Sequence, residues 1–220
     1  MPPKLILIDV DGTMVDSVPD LSYCVDEMLK KLNLPIRGEE KVRLWVGNGV
    51  EKLVQRALTC ELEPAHLDEI LFQKAMPIFN ELYQNNIAKK SVLYDGVLKT
   101  LQELKHQKIP LGCVTNKAQR FTLPLLKNLK IDNFFDMILC GDELEHKKPH
   151  PAPLLHMAKF FNIKPTDSLL IGDSQSDVKA ARAAGFKIIC VSYGYNHGKN
   201  IKLSKPDKVV DSMTEINFNL

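Results

Sequence analysis

The chain has 220 residues, 45% of them hydrophobic, with 29 Lys and Arg against 27 Asp and Glu. This composition is typical of a globular protein and excludes disordered and collagen-like chains. The formal net charge is +2, and the cations are scattered along the chain. A nucleic-acid partner is therefore not indicated. The length fits a large domain with a smaller companion.

The longest apolar runs have the length of a strand, which is too short for a membrane helix. The N-terminal residues lack the length and the small-residue cleavage site of a signal peptide. Five cysteines are widely spaced with no C-x-x-C pair. Cys113, Cys140 and Cys190 each lie inside an apolar run, as expected of small core residues in a reducing compartment. We therefore expect a cytoplasmic protein with no membrane partner. A monomer or a weak dimer is a separate expectation that does not follow from these patterns.

The first predicted strand is the apolar run Lys4–Ile8. The segment that follows, from about residue 16 to 90, contains no convincing strand and several amphipathic patterns. One pattern places apolar residues at helical spacing: Leu21, Val25, Met28, Leu29 and Leu32. Pro77, inside the last pattern, predicts a kink or a break. The segment is therefore predicted to be an all-helical insert.

From about residue 95 onward, strand and helix patterns alternate, which indicates parallel strands joined by helices. The predicted strands are Pro110–Thr115, Asp136–Cys140, Ser168–Gly172, Lys187–Ser192 and Asp207–Val210. The predicted helices are Gly96–Gln107, Ala118–Leu129, Ala152–Phe161 and Ser176–Ala184. We predict an α/β fold with a doubly wound, mostly parallel, Rossmann-like sheet. Its discontinuous core comprises residues 1–15 and 91–220, and residues 16–90 form a helical cap.

Two carboxylates follow the first strand, in the order Asp9-Val10-Asp11-Gly12-Thr13. At i and i+2 they share one face if the strand continues, and Gly12 lets the backbone turn sharply after them. Both side chains then project from the carboxyl end of the strand, where open α/β sheets bind their ligands. An acidic turn without function is the alternative.

A second acidic pair, Asp173 and Asp177, follows the apolar run that ends at Gly172. Helix capping explains Asp177 alone, but it does not explain Asp173. If the two strands are neighbours, four carboxylates converge, and their repulsion demands a cation. Oxygen ligands at a phosphate site indicate Mg²⁺.

Two further segments offer groups that bind phosphate. Thr115 and Asn116 place a hydroxyl and a backbone N–H at another strand end, although a Thr-Asn turn is the simpler interpretation. In His146-Lys147-Lys148-Pro149, the proline stiffens the backbone so that a neighbouring lysine is aimed. A solvated lysine pair is the alternative, and the pattern alone does not separate Lys147 from Lys148.

Together and in this order, the four segments resemble the four motifs of the haloacid dehalogenase superfamily in its phosphatase form. That resemblance implies that Asp9 is the nucleophile and Asp11 the general acid and base. It also implies that Mg²⁺ is held by Asp9, the backbone carbonyl of Asp11 and Asp173, with Asp177 behind them as an orienting residue. Phosphate would be held by Thr115, Asn116 and Lys148, the lysine that directly precedes the proline.

Two more segments resemble the superfamily's phosphoglycolate phosphatases. One is the cap loop Trp45-Val46-Gly47-Asn48-Gly49, and the other runs from Tyr193 to Gly198. The resemblance implies that Gly47, Asn48 and Gly49 lie near the substrate, with an ordinary turn between helices as the alternative. The implied reaction is Mg²⁺-dependent hydrolysis of a small phosphorylated metabolite, 2-phosphoglycolate, through an aspartyl-phosphate.

Other functions remain open from the sequence. Within the same architecture they are a sugar-phosphate mutase and a phosphatase for another small phosphate or for pyrophosphate. A true dehalogenase and a phosphonate hydrolase are disfavoured because Asp11 is present. From a different class, a phosphoaspartate signalling module shares the acidic cluster, but it has no such insert. A catalytically silent scaffold is disfavoured because every expected chemical group is present.

Overall fold

The computed structural model describes residues 2–218. Its strands are β1 (Leu5–Ile8), β2 (Val15–Asp16), β3 (Val92–Leu93), β4 (Leu111–Val114), β5 (Met137–Leu139), β6 (Ser168–Gly172), β7 (Lys187–Val191) and β8 (Lys208–Val210). Its α-helices are α1 (Val18–Lys31), α2 (Glu39–Trp45), α3 (Val50–Thr59), α4 (Glu69–Asn86), α5 (Val97–His106), α6 (Gln119–Asn128), α7 (Ala152–Phe160) and α8 (Gln175–Ala184).

Six strands form one parallel sheet in the order β5-β4-β1-β6-β7-β8. The central strand β1 pairs with β4 on one side and β6 on the other, and Ile8 lies opposite Cys113 and Ile171. The residues that follow these three strands therefore meet at one edge of the sheet, where ligands of such folds bind. The predicted α/β fold is confirmed.

Helices cover both faces of the sheet. Along β1, Leu5 and Leu7 belong to one hydrophobic cluster, whereas Ile6 and Ile8 belong to the other, as strand alternation requires. Buried side chains of α7 and α8 pack on the first face, and those of α5 and α6 pack on the second. This arrangement explains why the strands have near-continuous apolar sequences.

Helices α1 to α4 lie between β2 and β3 and form the helical insert, which is called the cap below. Of the kink or break predicted at Pro77, the break is wrong, because α4 runs unbroken from Glu69 to Asn86. Pro77 has no N–H to donate to the backbone carbonyl of Gln73, four residues earlier in the helix. Both residues are exposed, so water can bind that carbonyl. Helix α2 was not predicted, since it has only seven residues and buries only two of them, Val42 and Trp45.

A short antiparallel ribbon of β2 and β3 joins the two chain segments that connect cap and core. Strand β2 ends at Asp16, inside the segment expected to contain no strand. Next to the ribbon, the buried carboxylate of Asp20 accepts hydrogen bonds from the backbone N–H groups of Lys90 and Ser91, both at 2.9 Å. In residues 2–218, no helix has both the length and the apolar character needed to cross a membrane.

Candidate active site

Asp9 directly follows β1, and a buried lysine contacts its carboxylate. Its Oδ1 accepts a hydrogen bond from the backbone N–H of Val10 at 2.8 Å, and its Oδ2 lies 3.0 Å from Nζ of Lys148. The Lys148 side chain is 2% exposed. Lys147, by contrast, is more exposed, and its Nζ lies 4.0 Å from Glu51 in the cap. The fold therefore directs Lys148 rather than Lys147 to Asp9.

Lys148 is held in place by Asp177, whose side chain is fully buried. Nζ of Lys148 donates to Oδ1 of Asp177 at 2.7 Å and to the carbonyl of Val114 at 2.9 Å. The other oxygen of Asp177 accepts from the backbone and the hydroxyl of Ser174, which completes a capping box at the start of α8. Asp177 thus caps its helix and fixes the lysine at the same time.

Asp173 follows β6 and is 3% exposed. Its Oδ1 accepts from the hydroxyl of Thr13 at 2.9 Å, and its Oδ2 accepts from the backbone N–H of Tyr195 at 2.7 Å. The backbones of Gly12 and Gly194 lie directly against this carboxylate, and a Cβ atom on either glycine would overlap it. The position of Asp173 therefore depends on close approach by two glycines.

Carboxylate oxygens of Asp9, Asp173 and Asp177 lie within 4.8 Å of one another. Burial raises the pKa of Asp9 to about 7, although Lys148 opposes this change. Burial, followed by repulsion from Asp177 and Asp9, raises the pKa of Asp173 well above its usual value. One lysine does not balance the charge of this buried cluster, and its oxygen ligands suit a hard divalent cation.

The carboxylate of Asp11 contacts a second buried lysine. Nζ of Lys117 is 3.1 Å from each carboxylate oxygen of Asp11, and the hydroxyl of Ser17 donates to Oδ1 at 2.6 Å. Burial alone would lower the pKa of Lys117, but attraction to Asp11 raises it above the ordinary lysine value. The core thus pairs each aspartate after β1 with its own lysine.

Thr115 and Asn116 follow β4, as predicted, and both are buried. The Asn116 carboxamide donates to the backbone carbonyl of Lys148 at 2.8 Å, which ties the loop after β4 to the lysine loop. Its Oδ1 is buried and has no hydrogen-bond partner within residues 2–218. Both residues line a cavity between the core and the cap.

The α/β core and the cap helices line this cavity with different chemistry. The core contributes polar and charged residues: Asp9, Asp11, Thr115, Asn116 and Lys117. The cap contributes apolar residues and glycines: Leu21, Val46, Gly47, Gly49, Val50 and Leu53. All charged groups that line the cavity in the described chain therefore come from the core.

The cap loop that precedes α3 is organised by Arg56, a buried residue that the sequence did not single out. Its guanidinium donates to the carbonyls of Trp45 and Leu62 at 2.6 and 2.7 Å, and to the Asn48 side-chain oxygen at 2.9 Å. Gly47 and Gly49 line the cavity, but Asn48 is not among the lining residues. Its side chain serves the buried arginine instead.

Comparisons with known proteins agree with this architecture. Residues 6–191 match the model of the haloacid dehalogenase-like hydrolases. The chain belongs to this family.

Among similar proteins, the phosphoglycolate phosphatase of Nitrosococcus oceani is 58% identical over 97% of this chain and 95% of its own length. That of Pseudomonas putida is 44% identical over 96% of this chain and 77% of its own. A crystal structure of a predicted phosphoglycolate phosphatase from Haemophilus somnus superimposes with a TM-score of 0.89, at 40% identity, over 95% of this chain and 94% of that one.

The four segments through which the sequence resembles the haloacid dehalogenase-like hydrolases lie together at the sheet edge. The structure brings Asp9, Lys148, Asp173 and Asp177 into one connected group. Asp11 lies beside them with Lys117, a residue that sequence reasoning missed. Its one available signal was its position directly after Thr115-Asn116.

Tyr195 is a second missed residue, and it connects the carboxylate cluster to the cap. Its backbone N–H contacts Asp173, while its hydroxyl donates to Oδ1 of Asp16 at 2.5 Å. Asp16 in turn forms an ion pair with Arg43 of α2, at 3.1 and 3.2 Å. The tyrosine-rich segment that resembled relatives of this family therefore packs against both the acidic cluster and the connection to the cap.

Proposed function

We propose that the chain is a Mg²⁺-dependent phosphomonoester hydrolase that converts 2-phosphoglycolate to glycolate and phosphate through an aspartyl-phosphate on Asp9. The observation that carries the proposal is the contact between the carboxylate of Asp9 and the buried ammonium of Lys148. The chain is also 58% identical to a protein named phosphoglycolate phosphatase. The similarity over nearly the full length of both chains, cap included, supports this choice of substrate.

Asp9 attacks phosphorus, and the bond between phosphorus and the glycolate oxygen breaks. Asp11 donates a proton to that oxygen as it leaves. Asp11 then accepts a proton from the water that attacks the aspartyl-phosphate, which releases phosphate and regenerates Asp9. One carboxylate can serve both steps because each step restores the protonation state that the other needs.

The cation would be held by the side chains of Asp9 and Asp173 and by the backbone carbonyl of Asp11. When bound, Mg²⁺ neutralises the carboxylate cluster and the phosphate and orients the phosphoryl group. The buried, negatively charged donor set supports this assignment. Asp177 orients Lys148 and lies behind the ligands.

The phosphate oxygens would be held by the hydroxyl of Thr115, the backbone N–H of Asn116 and the ammonium of Lys148. Lys148 already contacts Asp9, so it neutralises charge on both the nucleophile and the phosphoryl group. The apolar cap residues exclude water over a small substrate, and the loop at Gly47, Asn48 and Gly49 closes the cavity.

We also propose that the enzyme works in the cytoplasm as a monomer or weak dimer. All five cysteines are free thiols, which fits a reducing compartment.

The test is phosphate release from 2-phosphoglycolate, β-glucose 1-phosphate, pyrophosphate and 4-nitrophenyl phosphate, with Mg²⁺ and with EDTA. Asp9→Asn removes the nucleophile, and Asp95→Asn, at an exposed position, is the matched control. We expect selective turnover of 2-phosphoglycolate that needs Mg²⁺, falls at least about 10³-fold in Asp9→Asn and persists in the control.

Other outcomes separate the alternatives. Preference for another phosphate ester or for pyrophosphate, with the same dependence on Mg²⁺ and Asp9, would replace the substrate and keep the mechanism. Conversion of glucose 1-phosphate to an isomer would indicate a mutase. A stable phosphoaspartate without turnover would indicate a signalling module. Activity that survives EDTA or Asp9→Asn would contradict the mechanism.

A further inference from the structure

Lys117 is a buried cation to which the proposed chemistry assigns no role. Its side chain is 2% exposed, and its Nζ lies 3.1 Å from both oxygens of Asp11. On its other side, the ammonium lies 4.7 Å from the centre of the Tyr83 ring, which belongs to cap helix α4. The lysine is thus enclosed between a core carboxylate and an aromatic ring of the cap.

We propose that Lys117 is a positioning residue that fixes the Asp11 carboxylate for proton transfer, and that Tyr83 makes this positioning depend on the closed cap. The inference rests on the proposed function, in which Asp11 exchanges protons with the leaving group and with water.

The contacts of Asp11 define its orientation. Equal distances from Nζ to the two oxygens place the ammonium on the midline of the carboxylate, and Ser17 donates to Oδ1. Ser17 precedes the cap helix α1, whereas Lys117 follows core strand β4. Asp11 is therefore held from both chain segments, which limits rotation of its side chain. Proton transfer requires such alignment with the reacting oxygen.

Tyr83 supplies the connection to the cap. Its side chain is fully buried and contacts Phe79, with ring centres 5.7 Å apart, and Phe121 of core helix α6, at 4.8 Å. An aromatic face stabilises a nearby cation most strongly when water is absent. Displacement of α4 would remove the ring and admit water to Lys117, which weakens the ion pair with Asp11. The aligned carboxylate is therefore a property of the closed cap.

Lys117 also lines the cavity, so direct contact with the carboxylate of the substrate is the competing role. The geometry favours positioning, because the ammonium already faces both oxygens of Asp11 and the ring of Tyr83. The two roles differ in what they do to binding. A positioning residue alters the chemical step and leaves substrate affinity unchanged, whereas a residue that binds the substrate alters affinity.

The first experiment compares two leaving groups in Lys117→Met, which keeps much of the side-chain length and removes the charge. Glycolate must be protonated as it leaves, whereas 4-nitrophenolate leaves as a stable anion. We expect kcat for 2-phosphoglycolate to fall about 100-fold and kcat/KM for 4-nitrophenyl phosphate to stay within about 3-fold of wild type. Lys127→Met, at an exposed position of α6, is the matched control and keeps both values.

The second experiment measures binding in the Asp9→Asn background, where turnover is blocked. The Kd of 2-phosphoglycolate in the presence of Mg²⁺ is measured by titration calorimetry for Asp9→Asn and for the double variant with Lys117→Met. We expect the two values to agree within about 3-fold. A Kd that is weaker by about 10-fold or more would overturn positioning and assign Lys117 to the substrate.

Two further variants keep the proposal testable if Lys117→Met does not fold. Lys117→Arg keeps the charge and should retain at least about a tenth of kcat. Tyr83→Leu leaves Lys117 in place and removes the ring; kcat for 2-phosphoglycolate should fall about 5-fold while kcat/KM for the aryl ester is unchanged. Equal losses for both esters would contradict the link to the cap.

The outcomes distinguish failure of the proposed function from failure of this inference. A wild-type protein that hydrolyses no phosphate ester would overturn the proposed function. An active wild type with full kcat in Lys117→Met would overturn this inference alone.

Discussion

The α/β core and the helical cap contribute to the same cavity in different ways. The core places five polar or charged residues there, each fixed by neighbours at the ends of the strands. The cap contributes apolar side chains and glycines, and its loop is organised from behind by Arg56. Under the proposed function, the core therefore supplies the reacting groups and the cap excludes water from the cavity.

This difference has an energetic basis. Charged groups in the core are buried, so each one needs a permanent partner, and the resulting network resists movement. A closing domain with such charges would expose and bury them in every cycle at a large desolvation cost. Apolar side chains and backbone can leave and re-enter the cavity with a smaller penalty. We therefore expect substitutions in the core to affect chemistry and substitutions in the cap loop that lines the cavity to affect KM. Tyr83 of the cap is the exception, because it contacts Lys117 of the core.

The largest expected effect is that of Lys148→Met in the core. It leaves Asp9 and the fully buried Asp177 without their cation, and breaking such a pair costs about 3–5 kcal/mol. We expect kcat to fall about 10²–10³-fold as well. Urea denaturation and steady-state kinetics measure the two losses. Lys147→Met is the control, and comparable losses there would contradict the assignment of Lys148.

The next effect is that of Arg56→Met in the cap. The variant leaves the carbonyls of Trp45 and Leu62 unsatisfied, at a cost of about 2–3 kcal/mol. Because the cavity loop loses its support, KM for 2-phosphoglycolate should rise more than kcat falls. Glu63→Gln tests the exposed ion pair alone and should change neither stability nor KM. A loss confined to kcat in Arg56→Met would break the division between core and cap.

A smaller effect is expected from Gly194→Ala in the core. The added methyl would overlap Asp173, and such overpacking costs about 1–3 kcal/mol. Since Asp173 shifts, the Mg²⁺ concentration for half-maximal activity should rise. Gly38→Ala is the control, because its φ of +77° brings backbone strain but no atom lies within 4 Å. An unchanged Mg²⁺ dependence in Gly194→Ala would argue against Asp173 as a ligand.

The smallest effect concerns His197, whose Nδ1 lies 2.8 Å from the carbonyl of Leu44 in the cap. Burial lowers the pKa of His197 below its ordinary value. As pH falls through about 6.5, His197 therefore becomes protonated in the unfolded chain while it is still neutral in the folded protein. This residue's contribution to stability should decline from that pH down to its lowered folded pKa.

The measurement compares the urea midpoints of wild type and His197→Asn at about pH 7.5 and pH 5.5. Other groups titrate in both proteins, so the difference between them isolates His197. We expect wild type to lose slightly more stability than the variant on acidification. Equal losses would show that this contact between cap and core does not respond to pH.

Most of the core could be predicted from the sequence, because strands that are buried on both faces have continuous apolar sequences. The predicted strands agree with the observed ones to within one residue at each end, since apolar runs covered on both faces end sharply at Asp9 and Asp173. The cap was harder. Helix α2 is too short to show a helical period, and the two-residue strands of the ribbon leave no pattern at all.

The site was predictable where one residue type marks a strand end and unpredictable where a role depends on partners far along the chain. Asp9 and Asp173 stand out in sequence. Lys117 is one of many lysines, and its partner Asp11 is 106 positions away. Tyr195 meets Asp16 across 179 positions. Such contacts form only when the sheet brings distant segments together, so no local sequence pattern predicts them.

The ribbon of β2 and β3 has a consequence for how this architecture is assembled. It pairs the segment that enters the cap with the segment that leaves it, so both crossings lie side by side. The helices between Val18 and Asn86 therefore occupy the place of the turn in the hairpin of β2 and β3. An unrelated domain with adjacent termini could be transplanted onto the same hairpin while the six-stranded sheet and its strand-end chemistry stay intact. Replacement of whole caps at this hairpin offers a route to new substrates that point mutations in the cavity lack.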